Sequence, residues 1–220
     1  MKITKVTARH VIFTVPENAE YDVNLGLILG KKYNFIIDTG MGASSVNAIL
    51  EYLSGDAKPI IAVNTHAHED HIMGNWVLKD NLIISHALCR DIIDKQWDSS
   101  ITKYVQENRE FFDSEIHKRL PDLVFEGSLC FPEEGIAIFY TPGHTDDSIS
   151  IYDAVDRVLY TGDNFGVSNG AAQFWTKDIQ SSQRLIEIYK KYDFNICIPS
   201  HSAPQTREII KLLETAVMEA

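Results

Sequence analysis

Short apolar runs broken by turn residues dominate this chain. Residues 3–14, 24–30 and 33–38 read as strands, and Gly30-Lys31-Lys32 between the last two reads as a hairpin turn. From Ser44 onward, Val46, Ile49, Leu50 and Leu53 follow the i, i+3, i+4, i+7 spacing of an amphipathic helix, which the serine would cap. Further runs predict strands at 59–63, 82–85, 136–140, 148–153, 157–161 and 195–198, and helical spacing recurs over 178–192 and 204–218. Strand-rich halves, each closed by helices, predict an α/β (α+β) fold of two packed sheets flanked by helices.

Two segments fit this pattern less tightly. Between Ala87 and Leu120, apolar residues recur three to five apart at Leu88, Ile92, Trp97, Ile101, Tyr104, Val105, Phe111, Phe112, Ile116 and Leu120. That spacing predicts one broken or two successive helices, inserted between a strand and its sheet partner. Most of the aromatics are expected to dock the insertion on the core. The sharper expectation is that Trp97, Tyr104, Phe111 or Phe112 overhangs a site as a lid and selects an apolar substrate group. The Gly, Ser and Asn content of Asn164–Trp175 predicts a loop, in which Phe165, Phe174 and Trp175 either anchor the loop or line a pocket.

The polar residues that follow the apolar runs carry the candidate chemistry. Directly after Pro59-Ile60-Ile61-Ala62-Val63 comes T-H-A-H-E-D-H, with His66, His68, Asp70 and His71 inside six positions. In extended backbone His66 and His68 project the same way, so both imidazoles can reach one ion. Asp70 and His71 follow where the chain turns toward a helix through Ile72-Met73, and they can swing toward a second ion. Imidazole with carboxylate suits Zn, Fe or Mn better than Ca or Mg, which favour oxygen-only shells. Three more ligand-type residues each follow an apolar strand: His144 in T-P-G-H-T, Asp163 in Y-T-G-D and His201 in P-S-H-S. Asp38, ending a strand in Ile37-Asp38-Thr39-Gly40, reads on residues alone equally as an Asx-type turn.

With these seven residues in this order, the chain resembles the metallo-β-lactamase-fold superfamily, whose signature is H-x-H-x-D-H followed by single His, Asp and His ligands. The resemblance runs from about Asn24 to His201. It implies a four-layer αββα sandwich and two divalent metal ions, most often Zn, with Fe or Mn as alternatives. It further implies that His66, His68 and His144 hold one metal, that Asp70, His71 and His201 hold the second, and that Asp163 bridges both. Asp70 would also orient the metal-bound hydroxide, and Asp38 would support the ligands from behind. A hydroxide between two such ions is a strong nucleophile near neutral pH. The implied activity is metal-dependent hydrolysis of a small ester, lactone, thioester or amide. The alternative is a mononuclear or dinuclear iron oxidoreductase of the same fold, akin to the persulfide dioxygenases. Where the family commonly continues its P-G-H-T with a small residue and glycine, this chain has Asp146-Asp147, two carboxylates beside a ligand.

Composition narrows the partners. A chain of 220 residues, 45% of them hydrophobic, can bury one sizeable core, so a single domain over 1–220 is expected, with a helical insertion at about 87–120. A net charge of −11 and the absence of any Lys/Arg run argue against nucleic acid and anionic membrane, leaving a small-molecule substrate. Cys89, Cys130 and Cys197 form no C-x-x-C pair and are expected to be free structural thiols. Met1-Lys2-Ile3-Thr4-Lys5-Val6 alternates like a strand, without an apolar leader, and no stretch is apolar enough to span a membrane; a cytoplasmic location is expected. The oligomeric state is open, and an exposed aromatic insertion would suit a dimer. Tyr140 and Tyr160 flank ligand loops without being assigned as a general acid.

Overall fold

The apolar runs pair into two main sheets. The computed structural model describes residues 1–16 and 22–219, and its internal contacts divide the chain into two units, Met1–Phe125 and Glu126–Ala220.

The first unit carries seven strands that neighbour one another in chain order: β1 (Lys2–Lys5), β2 (His10–Pro16), β3 (Asp22–Leu29), β4 (Asn34–Ile37), β5 (Ile60–Val63), β6 (Leu82–His86) and β7 (Leu123–Phe125). Pairing is antiparallel from β1 to β4 and parallel from β4 to β7. Parallel neighbours need long crossovers, which is why helical segments separate β4, β5, β6 and β7. It also explains why Asn34–Ile37 is buried at every position and Ile60–Val63 almost so, without the alternation of a half-exposed strand. The run expected as one strand at 3–14 is two strands, because Thr7 Oγ1 accepts the backbone N–H groups of Arg9 and His10 at 3.1 and 3.0 Å and turns the chain.

Helix α1 (Ala43–Tyr52) starts one residue before the expected serine cap, with Gly42 at the N-cap. Asp113, far along the chain, takes the capping role instead and accepts from Ser44 N and Ser44 Oγ at 2.6 and 3.0 Å. After β5, α2 (Glu69–Ile72) leads into a 3₁₀ turn at Asn75–Leu78. The insertion forms α3 (Ala87–Gln96), a π-helical turn at Trp97–Ile101 and α4 (Thr102–Glu107). Trp97, Ile101, Val105 and Phe112 are buried in the core of this unit, and Phe111 packs partly buried against it. Tyr104 alone of the four aromatics is exposed, set edge-on to Phe112. Docking on the core accounts for the other three.

The second unit contains β8 (Ser128–Phe131), β9 (Ile136–Tyr140), β10 (Ile149–Asp153), β11 (Val158–Gly162), β12 (Phe165–Ser168), β13 (Ala171–Phe174), α5 (Ile179–Lys190), β14 (Ile196–Pro199), β15 (Gln205–Thr206) and α6 (Ile209–Met218). Six of its strands form a sheet in the order β15-β14-β11-β10-β9-β8, parallel only at β11–β14, and β12–β13 is a separate antiparallel hairpin. Leu185, Ile186 and Tyr189 of α5 and Ile209, Ile210 and Leu213 of α6 share a core with Phe139, Leu159 and Cys197.

Here the structure corrects two expectations. The segment 164–175 is largely a hairpin rather than a loop. Its turn is Asn169-Gly170, both with positive φ (51° and 81°), between paired Ser168 and Ala171, and this is the two-residue turn whose twist matches a hairpin. The last helix begins at Ile209, not 204, because Gln205–Thr206 pairs with β14. Among the described residues no helix is long and apolar enough to cross a membrane.

Candidate metal centre

In the first unit the ligand-type residues leave the end of β5 and enter α2. His66 is 1% exposed, and Asp70 and His71 are buried. The ring centroids of His66 and His68 lie 4.5 Å apart and those of His66 and His71 lie 4.1 Å apart, so three imidazoles crowd one another. His66 and His68 each offer a ligand atom within 4.8 Å of the other, and so do Asp70 and His71. Asp70 Oδ2 stands 2.9 Å from His71 Nε2.

Behind this cluster lies Asp38, which the sequence left between turn and support. It occupies the left-handed region at φ 61°, unusual outside glycine. That conformation turns its carboxylate back on the cluster. Oδ1 accepts from Thr65 N at 2.7 Å, and Oδ2 accepts from Thr65 Oγ1 and lies on His71 Nδ1, both at 2.8 Å. Burial pushes the Asp38 carboxyl up, opposed by the His71 charge and by the His71 and Thr65 hydrogen bonds. With its proton given to Asp38, the Thr65 hydroxyl is left to accept from His66 Nδ1 at 3.1 Å. A buried amide pair completes the pedestal: Asn64 Nδ2 donates to Asn75 Oδ1 at 3.0 Å and Asn75 Nδ2 to Asn64 Oδ1 at 2.9 Å, while Thr39 N donates to the His71 carbonyl at 2.8 Å. Burial also pushes Glu69 up to about 7, with the adjacent Asp70 charge adding to it.

In the second unit the three ligand-type residues come from three strand ends, after β9, β11 and β14. Asp163 Oδ2 lies 3.1 Å from His201 Nε2 and 3.7 Å from His144 Nε2. Each histidine is held by the 164–175 segment, of which the sequence singled out Trp175 but not Asn164. His144 N donates to Asn164 Oδ1 at 3.0 Å, and His144 Nδ1 lies 2.9 Å from the Trp175 carbonyl. A carbonyl can only accept, so Nδ1 carries a proton, and in the neutral ring Nε2 bears the lone pair. Asn164, fully buried, donates from Nδ2 to the Thr141 carbonyl and to Tyr189 Oη at 3.1 and 2.9 Å. Beside His201, the Trp175 ring sits at 5.6 Å between centroids.

The donor chemistry fits divalent metals. His66, His71 and His144 each have Nδ1 against a protein oxygen, which is how metal-binding imidazoles are commonly oriented for ligation through Nε2. Other candidates recede. Tyr160 is 3% exposed and burial raises its pKa, which marks it as core. Tyr140 donates to the Asp146 carbonyl at 2.7 Å. Asp146 is paired with Lys177 at 2.6 Å, whereas Asp147 is buried. All three cysteines are free, but Cys130 is exposed rather than structural.

Comparison with known proteins adds three findings. The model of the Metallo-beta-lactamase superfamily matches residues 19–201. A human protein named Acyl-coenzyme A thioesterase MBLAC2 is 25% identical over 205 residues, spanning 81% of this chain and 72% of its own length, and a probable metallo-hydrolase of Methanocaldococcus jannaschii is 29% identical over 189 residues, spanning 78% and 81%. Among solved structures, TMB-1 superposes with a TM-score of 0.78 at 17% identity, covering 99% of this chain and 97% of its own. At that identity the likeness shows the fold, and it is the αββα class that the sequence led us to expect.

Proposed function

This chain belongs to the metallo-beta-lactamase superfamily and is a metallohydrolase, and from that premise we propose that it hydrolyses a small ester, lactone, thioester or amide with two divalent metal ions, zinc foremost. The carrying observation is the donor set, in which three histidines have Nδ1 against a protein oxygen, the orientation in which imidazoles commonly ligate through Nε2. On this reading the two units act as one domain. His66, His68 and His144 hold one ion, Asp70, His71 and His201 hold the other, and Asp163 serves both. When bound, the ions would supply a water that loses its proton near neutral pH and a positive field for the developing oxyanion. The protein supplies placement: Asp70 orients the attacking water, Asp38 fixes His71, and the Trp175 carbonyl fixes His144.

Thioesters come first in the substrate panel, because the human relative is named an acyl-coenzyme A thioesterase. The free cysteines support a reducing, cytoplasmic compartment. The test is metal analysis of protein purified without added metal, followed by a panel of model thioesters, esters, lactones and amides with and without chelator. About two zinc per chain and chelator-sensitive hydrolysis are expected. One iron per chain with oxygen uptake on a thiol substrate, and no hydrolysis, would overturn the proposal.

A further inference from the structure

We propose that Trp175 is a positioning residue that sets two metal-ligand histidines at once, His144 through its backbone carbonyl and His201 through its indole. This rests on the reading of both histidines as ligands. The segment reaching it is the β12–β13 hairpin, which starts two residues after Asp163. Both ends of that segment are tied to the His144 loop. Trp175 N donates to the Asn164 carbonyl at 3.2 Å, Asn164 Oδ1 accepts from His144 N, and Lys177 N donates to the Gly143 carbonyl at 3.2 Å. The Trp175 carbonyl therefore meets His144 Nδ1 from a fixed direction.

The indole is fixed separately. It lies on Gly166 of β12, where a Cβ would come within 2.4 Å of Trp175 Cζ2 and 2.7 Å of Cη2. No residue larger than glycine leaves the ring in place there. From that seat the ring meets the His201 imidazole. The strand also holds the residue after His201, because Val167 N donates to Ser202 Oγ at 2.8 Å. Thus one hairpin registers His144, which follows β9, against His201, which follows β14. The contacts that Trp175 makes here are a main-chain carbonyl and a ring face, so its part in the arrangement depends on shape. Displacing the ring should disturb both histidines together, although they belong to different proposed metal positions.

The test compares the full-length protein with Gly166→Ala, which crowds the ring, and Trp175→Phe, which keeps the carbonyl and a smaller ring. Two readouts are taken. On metal-free protein, at a pH where the imidazoles are neutral, long-range ¹H–¹⁵N NMR reports which nitrogen of His144 carries the proton. Competition against a chromophoric chelator reports zinc affinity. Wild type should show the proton on Nδ1. Gly166→Ala should show a mixture of tautomers and zinc binding weakened about 10-fold or more, and Trp175→Phe should keep the tautomer and most of the affinity. If Gly166→Ala does not fold, Trp175→Ala removes the indole without crowding and keeps the carbonyl, so zinc binding should weaken while the proton stays on Nδ1, and unchanged zinc affinity there would overturn the role of the indole. A wild-type proton on Nε2, or zinc affinity and tautomer both unchanged in Gly166→Ala, would overturn the proposal. If the wild type takes up no zinc while the tautomer behaves as stated, the positioning role stands and the metal reading falls.

Discussion

In the first unit four ligand-type residues fall between His66 and His71, on one strand end and the short helix after it, and a buried carboxylate stands behind them. In the second unit three such residues are spread from His144 to His201 over three strand ends, and the groups that hold the two histidines from behind include a backbone carbonyl, a carboxamide and an indole. The first cluster is thus set by local sequence and tuned by charge. The second is set by sheet topology and tuned by shape. A charged oxygen behind an imidazole both orients it and raises its basicity, whereas a carbonyl mainly orients. The two halves of the proposed centre should therefore fail in different ways.

The largest expected effect is common to both and tests whether each half contributes at all. Asp70→Ala in the first unit and Asp163→Ala in the second should each lower kcat/KM for the best panel substrate by about 10³-fold or more, since lost charge stabilisation of several kcal/mol converts at 1.36 kcal/mol per tenfold. Thermal melting of the metal-free variants should remain cooperative. Full activity in either variant would remove its unit from the two-metal scheme.

A crossed pair of variants probes charge against shape. Burial pushes the Asp38 carboxyl up, so Asp38→Asn relieves a desolvation cost while taking the charge from behind His71. Metal-free stability should hold or rise, and zinc affinity should fall about 10- to 100-fold. Asn164→Ala should do the reverse. It strips partners from His144 N, the Thr141 carbonyl and Tyr189 Oη, costing about 1–3 kcal/mol in denaturant unfolding with a smaller loss of affinity. If both variants moved the same quantity, the distinction between the units would collapse.

The same contrast explains what could be read from the sequence. The first cluster was legible because its spacing is local: period two places His66 with His68, and the following turn places Asp70 and His71. His144, Asp163 and His201 were legible only as residues that end strands, and their grouping came from the family pattern. What stands behind the proposed ligands was much less visible. On residues alone Asp38 read equally as a turn in D-T-G, and its supporting place came from the family pattern, since its contact with His71 depends on a left-handed φ that no neighbouring residue demands. Trp175 was named as a loop anchor or pocket wall, but its contact with His144 runs through a main-chain carbonyl that any residue type possesses, so no sequence signal marks that part of its role. The hairpin before it did carry a signal, Asn169-Gly170, hidden among the Gly, Ser and Asn content of a loop. In the insertion, helical spacing was clear, but whether Trp97 faced core or substrate depended on a π-helical turn that shifts the register.

The smallest effect expected concerns the thiols, and it asks whether the second unit's scaffold stands without metal. Cys197 lies on β14, the strand that delivers His201, and burial pushes its thiol up to about 12. A raised thiol pKa means that the thiolate appears only as pH climbs toward that value, so raising the pH from 7 to 9 should not make Cys197 reactive. Cys89 in the first unit is also buried, and Cys130 is exposed. A disulfide reagent at pH 8 should therefore titrate one thiol per native chain and three in denaturant. The decisive comparison is the chelated protein. If topology and the Gly166–Trp175 contact fix His201 in advance, the native count stays at one when the metal is removed. A second thiol, mapped by mass spectrometry to Cys197, would mean that β14 opens without the ion. The metal would then organise the second unit's proposed ligands, and shape alone would not.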